Sequence, residues 1–209
     1  MGSSSILDII GSIMIGGMLL LITLRLNASA QEYSAAYYSN YILQSNLLTL
    51  VVMLEDDFKH IGYCKNPRLI RTGQAIIDAE STKIQYRTDV NNNGSIDIVT
   101  YWAGPTSEMA YTDNPSDFFL YKQINGGTAT KWNLGTTKFL IKYWDNTGTP
   151  DSMSYTQAFN NPGSIAITDV SIRLESPFKR QQQYMNDTLA YQLYWRELRM
   201  TSPSFRNPR

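Results

Sequence analysis

The first proline in the chain is Pro67, so between Ile6 and Ile61 nothing forces a helix to end. No residue from Ile9 to Leu24 is charged. With Ile6, Leu7 and Leu26 they make roughly twenty mostly apolar residues, the length that spans a bilayer core. Farther on, Leu43, Leu47, Leu50, Val51, Leu54, Phe58 and Ile61 recur at three- and four-residue spacing and form one apolar stripe. Gly62 and Asn66-Pro67 are stop signals. The pattern predicts one continuous helix of about 55 residues at residues 1–62, with its apolar half at 6–26 and an amphipathic half lying against a globular domain. Gln44, Asn46, Glu55, Asp56 and Lys59 fall largely off the stripe. Glu55-Asp56-Asp57 is read as a solvated face or a partner for a cationic region of another copy. A cleavable secretory signal needs a basic leader, and Met-Gly-Ser-Ser-Ser has none, so the apolar run is read as retained. Gly11, Gly16 and Gly17 each cost roughly 1 kcal/mol against alanine in a helix interior. Gly16-Gly17 therefore points to close helix–helix packing or local unwinding.

Composition removes several classes of chemistry. Eighteen Lys and Arg balance eighteen Asp and Glu, and no basic excess points to nucleic acid. The charge is nonetheless uneven. From Val170 to Arg209 there are seven Arg or Lys against three acids, a cationic region suited to packing between identical copies. With one cysteine, Cys64, and one histidine, His60, the chain can build neither an intrachain disulfide nor a four-ligand Cys/His zinc site. A nucleophilic dyad would have to use His60, four residues before Cys64 on the predicted helix; a histidine there is more often structural. No catalytic residue and no cofactor-binding residue is assigned, and the chain is read as not an enzyme.

After Pro67 the pattern changes to short alternating runs. Lys83–Thr88 and Ser95–Trp102 flank Asn93-Gly94, a hairpin signal because both turn positions need positive φ. Further strands are expected at Phe118–Ile124, Lys138–Trp144, Ala166–Leu174 and Leu189–Met200. Turns at Asn125-Gly126-Gly127, Asn146-Thr147-Gly148, Asn161-Pro162-Gly163 and Ser176-Pro177 separate them. The expected fold is α+β: a long N-terminal helix packed on one antiparallel β domain at residues 63–209.

The hairpin segment carries a second pattern. Asp89, Asn91, Asn93, Gly94 and Asp97 fall at positions 1, 3, 5, 6 and 9 of a calcium loop. Position 12, where a bidentate Glu belongs, is Thr100, and the flanks read as strands. The hairpin is the favoured reading. Any metal bound by Asp89, Asn91, Asn93 and Asp97 would be calcium, held weakly.

The order of features resembles the type IV pilin superfamily, across the whole chain in architecture. An apolar N-terminal helix has one acid, Asp8, near its start; an amphipathic continuation and an antiparallel sheet follow. "IQYRTDVNNNGSIDIVTYW" is similar to the hairpin after the long helix of minor pilins and type II secretion pseudopilins. "VSIRLESP" and "YWRELRMTSPSFRNP", with Arg206-Asn207, are similar to their last strands. The chain departs from the family in showing no basic leader, in carrying Asp in place of Glu, and in lacking paired C-terminal cysteines. The resemblance implies a subunit that inserts in the inner membrane and is then assembled by pilus or secretion machinery into a helical homopolymer outside the cell. Asp8 would pair with the N-terminal amine of a neighbouring subunit, with Gly16, Gly17 and Arg25 also serving assembly. It leaves two other roles open: a minor pilin or pseudopilin of such a machine, or a bitopic membrane protein with an outer ligand-binding domain.

Overall fold

The computed structural model describes residues 2–71, 73–146, 151–181 and 189–201, and the side chains among them except those of 2–5, 180, 181 and 189. One helix, α1, runs through Gly2–Lys59. Compact clustering divides the chain into two units, Met1–Ile42 and Leu43–Arg209, with the division inside α1.

In the second unit seven strands follow: β1 (Ile76–Ala79), β2 (Lys83–Thr88), β3 (Asp97–Ala103), β4 (Phe118–Ile124), β5 (Thr130–Asp145), β6 (Ile165–Gln181) and β7 (Leu189–Met200). They form one sheet in sequence order, and every neighbouring pair is antiparallel. A short helix, α2 (Tyr155–Asn160), begins at a capping box. Gln157 N–H donates to the Ser154 hydroxyl, and the Gln157 side chain accepts from Ser154 N–H. The class is α+β, as the alternation of patterns predicts. The residues of α1 from Leu43 onward supply Leu43, Leu50, Val51, Leu54 and Phe58, which share a buried core with Ile84, Tyr86, Val99, Tyr101, Leu120, Ile141, Ile172 and Leu174 of the sheet. The predicted stripe is the face that is buried, although Leu47 is only partly covered.

Several local expectations are corrected. Asn93-Gly94 is not a two-residue hairpin turn. Thr88 pairs with Asp97, so residues 89–96 form a longer loop, whose positive φ values fall at Asn92 and Gly94. The tight turn with both central φ values positive is Asn125-Gly126, closed by Gly127 N–H donating to the Ile124 carbonyl at 2.9 Å. Ser176-Pro177 does not end a strand. It lies within β6 at a register shift between Glu175 and Lys179, where two extra residues are accommodated as a bulge. Strand β1 carries too short an alternation, Ile-Ile-Asp-Ala, to be read as a strand beforehand. Thr147 and Gly148 of one expected turn, and Arg206-Asn207, lie outside the described residues.

Candidate functional site

The first unit is a helix with an unusual surface. Fourteen large apolar side chains between Ile6 and Leu26 are each 50–69 % exposed. Burying one such side chain is worth about 1.5–3 kcal/mol, so leaving all of them in water costs on the order of 20 kcal/mol. That exceeds the whole stability of an ordinary domain. The helix is long and apolar enough to cross a membrane. The two hydroxyls between Ile6 and Leu26 are satisfied locally: Ser12 Oγ donates to the Asp8 carbonyl at 2.7 Å and Thr23 Oγ1 to the Leu19 carbonyl at 2.8 Å. Such back-bonding suits an environment without water.

Three features of this segment are unexplained by the described residues. A Cβ added at Gly16 or Gly17 would meet nothing within 4 Å, so no contact among the described residues requires glycine there. Asp8 and Arg25 are the only charges between Ile6 and Leu26, and both are exposed. Neither side chain has an ion-pair or hydrogen-bond partner among the described residues.

The calcium-type loop is closed by the protein's own donors. Asp89 is buried, and its carboxylate accepts N–H bonds from Asn93 at 2.9 Å, Gly94 at 2.8 Å and Lys65 at 3.2 Å. Burial alone would raise its pKa. The N–H groups of Gly94, Lys65, Asn93 and Asn92 outweigh that and hold the carboxyl below its ordinary range. Asp97 accepts from Val90 N–H at 3.1 Å and Asn125 Nδ2 at 2.7 Å. The Asn91 and Asn93 side-chain carbonyls accept from Asn93 and Ser95 N–H. Thr100 stands in β3, where its hydroxyl accepts from Gln85 Nε2 at 3.0 Å. Each of these side chains therefore has a protein partner that shapes the hairpin loop. Among the described residues no group of three or more His, Cys, Asp or Glu is placed to hold a metal ion.

His60 and Cys64 are not brought together as a dyad. The helix ends at Lys59, and Gly62 N–H turns to the Arg87 carbonyl, so the four-residue spacing loses its helical meaning. His60 Nδ1 donates to the Asp56 carbonyl at 2.7 Å, while the buried Cys64 thiol faces Asp89.

The reading of Glu55-Asp56-Asp57 as a solvated face is corrected at Asp57. Its carboxylate pairs with Lys122 Nζ at 2.5 Å and accepts the Tyr101 hydroxyl. Burial first, then the Asp57 charge, pushes the Tyr101 pKa far up, which keeps the phenol a donor. A sequence signal existed: Asp57 is three residues after Leu54 and seven after Leu50, a position on the buried stripe. A carboxylate there must find a partner. A second polar cluster had no such signal. Asn114 Nδ2 donates to Glu175 Oε2 at 2.9 Å, Glu175 Oε1 pairs with Arg173 at 3.0 Å, and Asp117 is buried close by. Burial, opposed by a Thr112 hydrogen bond and aided by the Glu175 charge, raises the Asp117 pKa.

These features define an α+β protein whose N-terminal helix continues from an exposed apolar run into a stripe packed on an antiparallel sheet, an arrangement compatible with pilin-like architecture. Compared with protein-family models, curated proteins and solved structures, the chain has no match.

Proposed function

We propose that the chain is a structural subunit of an extracellular, type IV pilus-like filament, assembled by packing of its N-terminal helices. The observation that carries this reading is the helix of the first unit: apolar from Ile9 to Leu24, and bearing two opposite charges and two glycines that have no use among the described residues. Such a surface is stable in lipid or against other copies of itself. The subunit would wait in the inner membrane, and pilus or secretion machinery would move it into a helical homopolymer. Assembly exchanges lipid contacts for helix–helix contacts. No catalysis is part of this role, and no cofactor or nucleic acid is needed.

Electron microscopy of sheared surface material from the native host is the test. The reading requires this protein as the repeating subunit of a fibre. Recovery only from detergent-solubilised membrane, as a monomer, refutes it. Asp8→Ala is expected to leave the protein in the membrane and unassembled; normal fibres from that variant would remove Asp8 from assembly.

A further inference from the structure

We propose that Asp8 of one copy pairs with Arg25 of the next, which fixes an axial stagger of about 25 Å between parallel helices, 17 residues at 1.5 Å each. The inference rests on the filament reading and names the contact that sets its register.

The charges require it in the following way. Asp8 lies within the apolar run, and a carboxylate left there without a partner is costly once water is excluded. Arg25 is the one cationic side chain between Met1 and Leu54, and its planar guanidinium can meet a carboxylate through two parallel N–H bonds. The two cannot meet within one straight helix, because 17 residues separate them. Both are exposed and without a partner among the described residues. A second copy displaced by that length brings them level.

The neighbouring residues agree with this displacement. Leu19 and Ile22 share the helix face of Asp8, eleven and fourteen residues on. Ala36 and Ser39 stand in the same relation to Arg25. The stagger therefore sets large side chains of one copy against small ones of the other, so the axes can approach closely.

Glu32 is the competing acid, on the same face as Arg25 and seven residues beyond it. An Arg25–Glu32 pairing needs a displacement of only about 10 Å, but it strands Asp8 among apolar side chains. Glu32 lies in a polar stretch with Asn27, Ser29 and Gln31, and it is exposed. It loses less by remaining solvated.

The competing two-copy arrangement is antiparallel. It would pair Asp8 and Arg25 twice and close on itself as a dimer. A growing fibre requires the parallel one, because each copy then offers Asp8 to one neighbour and Arg25 to another.

The test uses the full chain in its native host, with the buried Cys64 left in place. Leu19→Cys/Ala36→Cys, which keeps both charges and has the same 17-residue offset on the same face, is oxidised in surface material and run without reductant. The stagger predicts a ladder of dimers, trimers and higher species, absent from either single variant. In parallel, Asp8→Arg and Arg25→Asp should each reduce fibre yield at least tenfold, and the double swap should restore it. A closed dimer without a ladder overturns the parallel stagger. So does a ladder from Met14→Cys/Leu21→Cys, the seven-residue offset of an Arg25–Glu32 pairing, and none from the 19–36 pair. Fibres from the parent chain with neither a 19–36 ladder nor rescue by the swap overturn the stagger and leave the filament reading standing. Absence of any assembly from the parent chain overturns both.

Discussion

Along α1 the same backbone serves two surfaces. From Ile6 to Leu26 large apolar side chains stand exposed on every side, with nothing among the described residues to cover them. From Leu43 to Phe58 one stripe is buried apart from Leu47, with no exposure left at Leu50 and Leu54, while Leu48 and Val52 stay exposed on the remainder. Both stretches belong to one α-helix, Gly2–Lys59. What differs is the solvent each is built for. The second stretch is completed by its own sheet. The first is left uncovered by the described residues, and its length and apolar surface are compatible with membrane insertion.

The sharpest way to break this comparison is to remove a methyl-rich side chain from each stretch. Leu50→Ala should lower the unfolding free energy of the β unit by about 2–5 kcal/mol in urea titrations. Leu20→Ala should leave that midpoint where it is. Equal losses would mean that the apolar run is packed in the monomer after all. A smaller effect sharpens the account of the sheet. Gly135 has φ +75°, and a Cβ there would stand 2.7 Å from the Glu175 carbonyl oxygen. Gly135→Ala should cost at least about 1–2 kcal/mol from the left-handed backbone alone. Its signature is a lowered midpoint with unchanged helix content by circular dichroism.

Next in size is a pH effect within the buried unit. The Asp117 pKa is raised in the fold, so its protonated form is the stabilising one. That stability is complete below the ordinary carboxylate value, about pH 4, and is lost as pH rises through the folded value. Asp117→Asn mimics the protonated carboxyl. It should therefore be more stable than the parent at pH 7 and nearly equal to it at pH 3, measured as urea midpoints. A gap that does not widen with pH would remove Asp117 as a source of strain. The smallest expected effect is none: thermal unfolding followed by fluorescence should be the same in calcium and in EDTA, because the oxygens of the Asp89–Asp97 loop already accept from protein donors. A melt shifted upward by calcium would show that the ion displaces those donors.

Much of the fold could be read in advance, and the exceptions have physical causes. Lys83–Thr88, Phe118–Ile124 and Leu189–Met200 coincide with β2, β4 and β7, because alternation over six or more residues specifies a half-buried strand. Strand β1 has four residues, too few for a period to register. Ser176-Pro177 has the local chemistry of a turn, yet pairing of β6 with β7 on both sides keeps the chain in the sheet and confines the proline to a bulge. Asn93-Gly94 favours a tight turn, but the buried Asp89 carboxylate gathers N–H groups from Asn93, Gly94 and the distant Lys65 and draws out a longer loop. Asp57 looked solvated because its partners, Tyr101 and Lys122, are contributed by β3 and β4.

The candidate assembly residues divide in the same way. Asp8, Gly16, Gly17 and Arg25 stand out from the sequence alone, because charge and glycine are conspicuous in an apolar run whatever surrounds it. The length of α1, its unbroken course and its buried stripe were likewise determined by the sequence, since local periodicity and the absence of proline act within a few turns. The tertiary structure decided which polar groups found distant partners: Asp57 with Lys122, Glu175 with Asn114, Asp89 with the N–H of Lys65. Those pairings join residues far apart in the chain, and only the folded domain brings them within hydrogen-bonding distance.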